Sequence, residues 1–144
     1  MSPGEFLKHL DDDKIVRAIA AAERNSSGEI RVYVSHKKRA DAMAFARRRF
    51  TDLGMTKTRH RNGVLIYVVP RTRLFAVIGD VGVNEKCGDE FWQEVSAGMS
   101  ERLRQGQFTE AILEAIGRVG DMLAKHFPRG PDDRNELPDE LARD

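Results

Sequence analysis

The sequence predicts a three-layer α/β/α sandwich built on a small mixed sheet of three, or at most four, strands and about four helices. Three observations predict it. Apolar residues recur at helical spacing in separate segments of the chain. Short runs rich in Val and Ile read as strands. A helical crossover separates the first strand from the second, whereas only a short turn separates the second from the third. A crossover makes its two strands parallel with a right-handed connection, and a tight turn makes its two strands antiparallel. The length of 144 residues suits one domain. A chain of this size buries roughly 70% of its unfolded surface and needs no disulfide or metal to fold.

The elements follow in order. Asp11, Asp12 and Asp13 complement the positive end of a helix dipole, and Ile15, Val16, Ile19 and Ala22 supply that helix with an apolar face. Glu29 to Val34 alternates Ile30, Val32 and Val34 with Glu29, Arg31 and Tyr33, as a strand does. A second helix is predicted over 41–53, with Gly54 as its stop. Asn62-Gly63 is a turn signal, and Val64 to Val69 reads as a strand buried on both faces. Pro70 to Arg73 turns the chain into a strand from Leu74 to Ile78. A third helix is predicted over 89–104 and a fourth over 109–126, with Gly117 and Gly120 reflecting close approach to the sheet. The domain spans residues 1–127, and 128–144 reads as an extended tail.

The formal net charge is +1, but it is unevenly spread: residues 36–73 carry +9 and residues 74–144 carry −7. The single cysteine, Cys87, forms no internal disulfide, which points to a reducing compartment. No basic n-region and apolar h-region opens the chain. The apolar run Val64 to Val69 is far short of the ~20 residues that span a bilayer. These features predict a cytoplasmic monomer.

Several stretches carry a family resemblance. Asn62-Gly63-Val64-Leu65-Ile66 followed by Ala76-Val77-Ile78-Gly79-Asp80-Val81-Gly82-Val83 resembles the core of the TPM domain family. Ser27 to Val32, Gly88-Asp89-Glu90-Phe91-Trp92, His126-Phe127-Pro128 and Asn135-Glu136-Leu137-Pro138-Asp139 add to it. The chain looks like a short, soluble, anchorless branch. The resemblance implies an α/β/α sandwich, with divalent cation binding credited to some members and weak acid phosphatase activity to plant members. The family pattern has an acid soon after the second glycine of its Gly-x-Gly motif. This chain has Gly79-x-x-Gly82 followed by Asn84.

Chain direction brings one set of oxygen donors together. Asn62 opens the second strand, Asp80 follows the third and Glu29 opens the first, so all three belong at one end of the sheet, with Asp89 opening the next helix nearby. Glu29, Asn62, Asp80 and Asp89 are therefore the candidate ligands for Ca²⁺ or Mg²⁺, which take oxygen donors. Each also has an ordinary use, as a turn residue, a helix cap or a solvated acid. At the opposite end lie His36, Lys37, Lys38, Arg39, Arg71 and Arg73, a candidate surface for anionic ligands. No aromatic residues are interleaved with these charges, which argues against nucleic acid.

Catalytic signatures fail. Position six after Cys87 is Gln93, so the Cys-x5-Arg loop of cysteine phosphatases is absent. The four histidines show no zinc spacing. The sequence therefore predicts a non-enzymatic interaction module that binds Ca²⁺ or Mg²⁺ weakly and serves an unidentified protein partner. The alternatives are a metal-dependent acid phosphatase and an anion-binding surface over 36–73.

Overall fold

The computed structural model describes residues 10–131, 137–139 and 141–144. Among these, helix α1 (Asp12–Glu23) is capped by Asp11, whose carboxylate accepts the Lys14 amide at 3.1 Å. Strand β1 (Glu29–Val34) follows, then α2 (Ala42–Asp52) with Asp41 as its cap. A 3-10 turn (Met55–Lys57) leads to β2 (Gly63–Val69) and β3 (Leu74–Gly79). Helices α3 (Val81–Arg104) and α4 (Phe108–His126) pack together, and Ala142–Arg143 forms β4.

The sheet order is β3-β2-β1-β4. Strands β1 and β2 are parallel from Glu29↔Gly63 to Val34↔Val68, and β2 and β3 are antiparallel from Val64↔Gly79 to Val69↔Leu74. Both directions follow from the connections, as the sequence predicted. The fourth strand comes from the tail: Ala142 and Arg143 pair with Tyr33 and Val34 in parallel.

Side-chain alternation builds two cores, one on each face. Ile30, Val32, Val64, Ile66 and Val68 meet Ile15 and Ile19 of α1, Val95 and Met99 of α3, and Ile116, Val119 and Leu123 of α4. Tyr33, Leu65, Tyr67 and Val69 meet Ala42, Ala46 and Phe50 of α2, with Met55 beneath. The Tyr33 and Tyr67 rings stack at 5.4 Å. Every β1 residue is buried, including Glu29 and Arg31, so its polar alternation does not mark a solvated face. A strand inside the sheet has helices over both faces, and its polar side chains are buried with the rest.

Four details differ from the sequence reading. Helix α3 starts at Val81, eight residues before the predicted start. Asp80 caps it, and Gly88 at φ 75° breaks it a third of the way along, just before Asp89, where the sequence had placed its beginning. Left-handed backbone of this kind favours glycine. The left-handed turn before β2 falls on Arg61 (φ 49°), while Asn62 is buried next to the strand start. Finally, the α4 glycines do not face the sheet. A Cβ on Gly120 would lie 2.8 Å from Ala22 Cβ on α1, and one on Gly117 would meet nothing within 4 Å.

No helix among the described residues is long and apolar enough to cross a membrane.

Candidate functional site

Among the described residues, no strand pairs with the outer edge of β1 at its start. The Glu29 amide bonds toward β2, reaching Asn62 O at 3.4 Å, so the next amide, on Ile30, points the other way. Strand β4 pairs only with Tyr33 and Val34 and does not reach it. Glu23, the last residue of α1, fills the gap: its Oε2 accepts the Ile30 N–H at 2.8 Å. Its backbone carbonyl accepts from Arg129 at 2.9 Å.

Glu23 is 5% exposed and Glu29 1%. The carboxyl of Glu23 interacts with those of Asp139, from the tail, and Glu29. Burial is the largest cause acting on Glu23, and with these two neighbours it outweighs the Ile30 amide and pushes the pKa up to about 11. The shift favours the protonated form of this carboxyl. Its other oxygen, Oε1, is buried with no hydrogen-bond partner among the described residues. Carboxylates are acceptors only, so acids facing one another need a proton or a cation between them.

The four residues singled out in the sequence divide among different tasks. Glu29 belongs to this carboxyl group. Asp80 lies at the same end of the sheet, with its amide on Gly63 O at 2.9 Å. Its carboxylate is occupied: Arg61 Nε and Nη2 each donate at 2.7 Å, and the Val81 amide donates to Oδ1 at 2.8 Å. The same pairing raises the pKa of Arg61 against the opposing effect of desolvation. Asn62 is buried and gives Nδ2 to Ser27 Oγ at 3.1 Å. Asp89 is exposed beyond the Gly88 break, where its charge is felt by Cys87. The backbone starts of the strands thus meet as expected, but the four side chains have no common centre.

Among the described residues, no group of three or more His, Cys, Asp or Glu side chains is arranged to hold a metal ion. Glu23, Glu29 and Asp139 bring carboxyl oxygens near one another, the donor type hard cations take, but they do not surround a common point. Asn135 and Glu136, which precede Asp139, lie outside the described residues. Sequence reasoning missed Glu23. The signal was available: α1 ends on an acid with no base in its last turn, against the preference set by the helix dipole.

The Asp80 arrangement is structural. Asp80→Ala removes a helix cap, with an expected cost of about 1 kcal/mol from that loss alone. Asp80→Asn keeps a capping oxygen and isolates the Arg61 pairing. Urea midpoints separate the two effects, and midpoints equal to wild type for both variants would contradict this assignment.

At the other end of the sheet, the loop after β1 holds a carboxylate of the chain's own tail. Ser35 Oγ donates to Asp144 Oδ2 at 2.6 Å, the His36 amide donates to Oδ1 at 2.7 Å, and Arg39 lies 3.9 Å away. Burial raises the Asp144 pKa, but these donors and the nearby Lys37 and Arg39 charges prevail and lower it. Other cations of the basic segment have local uses. Arg39 and Arg48 sit over the Phe45 ring, and Arg49 pairs with Asp52 at 3.0 Å. A cavity of about 530 Å³ lies between the β2–β3 turn and the α3–α4 turn. Its lining includes Ser100 but no carboxylate or histidine to activate that hydroxyl. Burial pushes the Cys87 thiol up, the wrong direction for a nucleophile.

Solved structures with this arrangement of elements exist. The BA42 protein of the psychrophilic bacterium Bizionia argentinensis is similar at 37% identity and a TM-score of 0.85, over 92% of each chain. The N-terminal domain of a P. gingivalis protein shares the fold at 18% identity and a TM-score of 0.67, over 83% of this chain and 80% of that one. The N-terminal domain of cg2496 from Corynebacterium glutamicum does so at 15% identity and 0.61, over 87% and 78%. No curated protein matches the chain. The TPM domain matches residues 2–122, and the chain belongs to that family.

Proposed function

We propose that this TPM domain is a non-enzymatic interaction module that binds a divalent cation, Ca²⁺ or Mg²⁺, weakly at the start of β1 through Glu23, Glu29 and Asp139. The observation that carries the reading is the state of Glu23. Its carboxyl is buried beside two other acids, has one oxygen with no hydrogen-bond partner among the described residues, and has a pKa pushed up to about 11. A cluster of this kind is neutralised by a proton or by a metal ion, and the two compete. Oxygen-only donors select hard cations over zinc or copper. Asp139 comes from the tail, so a cation there would also fasten the tail to the sheet. Asp80, Asn62 and Asp89 are not needed as ligands, since each is engaged or placed elsewhere.

Titration of Ca²⁺ and Mg²⁺ into ¹⁵N-labelled protein tests this. The expected dissociation constant is on the order of 10⁻⁴–10⁻³ M, as for weak extracellular-type sites. The Ile30 amide, bonded to Glu23, is expected to shift first. Binding is expected to release protons, and so to tighten as pH rises. Glu23→Gln is expected to abolish it and Asp80→Asn to leave it intact. If the shifts instead centre on Asp80 and vanish in Asp80→Asn, the site is the other carboxylate. If no amide shifts by about 10 mM, well above that range, the cation reading fails.

A further inference from the structure

The contact between the tail and β1 has the form of ligand recognition. Ala142 and Arg143 add a short parallel strand to the outer edge of β1. Leu141 packs against the core on one face of the sheet and Ala142 against the core on the other. Arg143 pairs with Asp12 at the start of α1. Asp144 then places its carboxylate between Ser35 Oγ and the His36 amide. Main-chain pairing supplies affinity and the side-chain sites supply selectivity, as when extended peptides add to sheet edges. The site lies at the carboxyl end of a parallel strand, where ligands of open α/β sheets bind.

Asp144 does not use all the donors around it. Arg39 stands 3.9 Å away, beyond hydrogen-bond distance. Arg39 Nε and His36 Nε2 are both buried with no hydrogen-bond partner among the described residues. Arg39 is therefore a donor beside the cradle that the Asp144 carboxylate leaves unused. Among the described residues, β4 spans two residues and pairs with β1 at two positions. Short strand pairings open at lower free-energy cost than long ones.

We infer that the outer edge of β1 and the Ser35–Arg39 loop form a docking groove for an extended acidic peptide, and that the chain's own residues 141–144 occupy this groove in cis. The partner is a segment with an apolar residue followed, three positions later, by an acidic one, as in Leu141-Ala142-Arg143-Asp144. The acid enters the cradle and the apolar side chain covers the sheet edge. An incoming peptide must displace the tail, so the tail sets the threshold for binding.

A fluorescent peptide with the sequence of residues 137–144 is the probe, used with the full chain in chelator so that no cation contributes. Wild type is expected to take it up weakly. Asp144→Asn loosens the cis contact, and uptake is expected to tighten at least about tenfold. The double variant Asp144→Asn, Ser35→Ala is expected to lose that gain, as is the single variant probed with a peptide carrying Asn in place of its final Asp. Equal affinity for wild type and Asp144→Asn would overturn the inference, and so would a gain that survives Ser35→Ala. A concentration-dependent dimer of Asp144→Asn without peptide uptake would assign the groove to a second copy of the chain and also overturn it.

Discussion

Glu23→Gln is expected to make the protein more stable at alkaline pH and to flatten its dependence on pH. The folded pKa of Glu23 is raised from 4.5 to about 11, so between those values the folded chain holds a proton that the unfolded chain has released. Stability then falls as pH rises. The contribution is fully present below about pH 4.5 and is lost through the folded value, with a slope of at most about 1.4 kcal/mol per pH unit. Glutamine carries no proton to lose. Its oxygen still accepts the Ile30 amide, and its NH₂ is a donor facing the neighbouring carboxyls. Glu23 interacts with the Glu29 and Asp139 carboxyls, so the effect is spread over the cluster and the realised slope is smaller than the limit. Denaturant midpoints near pH 5 are expected to lie close together. Near pH 9 the variant is expected to lead by about 2 kcal/mol or more. Stability curves that run parallel from pH 5 to 9 would show that the cluster holds no proton. Saturating Ca²⁺ adds a second contrast. Ten times the dissociation constant stabilises wild type by about 1.4 kcal/mol through linkage and leaves Glu23→Gln unmoved.

Gly82→Ala is expected to be the most damaging single methyl group added to the chain. The new Cβ would stand 2.5 Å from His60 O and 2.7 Å from Arg61 O. Both are backbone oxygens, so no side chain can swing aside. Gly82 also donates its amide to Arg61 O at 3.0 Å, fixing the first turn of α3 against the approach to β2. Relief would separate α3 from that approach and loosen the Arg61–Asp80 pair and the Asn62–Ser27 bond beside it. Alanine gains roughly 1 kcal/mol of helix propensity over glycine. The overpacking penalty of about 1–3 kcal/mol, here against unyielding backbone, exceeds that gain. Gly117→Ala is the control. It sits in α4 with nothing within 4 Å of its Cβ position, and it is expected to stabilise by up to about 1 kcal/mol. Opposite signs for these two substitutions in thermal or urea unfolding check the argument. A neutral Gly82→Ala would contradict it.

The fold was largely legible because connection lengths dictate strand direction. The helical segment between Val34 and Gly63 forces β1 and β2 parallel, and the turn at Pro70–Arg73 forces β3 back. The start of α3 was hidden for a physical reason. Its first half contains Gly82, Asn84 and Gly88, all weak helix formers, so Asp80 read as a free carboxylate when it is a cap. The site was half legible. Topology alone brought Glu29, Asn62 and Asp80 to one end of the sheet, but topology does not say where side chains turn. Asn62 turns to Ser27 and Asp80 to Arg61. Glu23 went unread because the periodicity of α1 draws attention to Ile15 and Ile19, and Asp139 because a polar tail shows no periodicity.

The bond between Glu23 and Ile30 bears on self-association. A bare margin of a β-sheet is a template on which another molecule can continue the ladder. Here the buried Glu23 carboxyl takes the Ile30 amide at a place where many proteins lay down a further strand. Truncating it in Glu23→Ala would free the Ile30 amide, and fibrils or ladders of chains seeded from that spot would be the outcome.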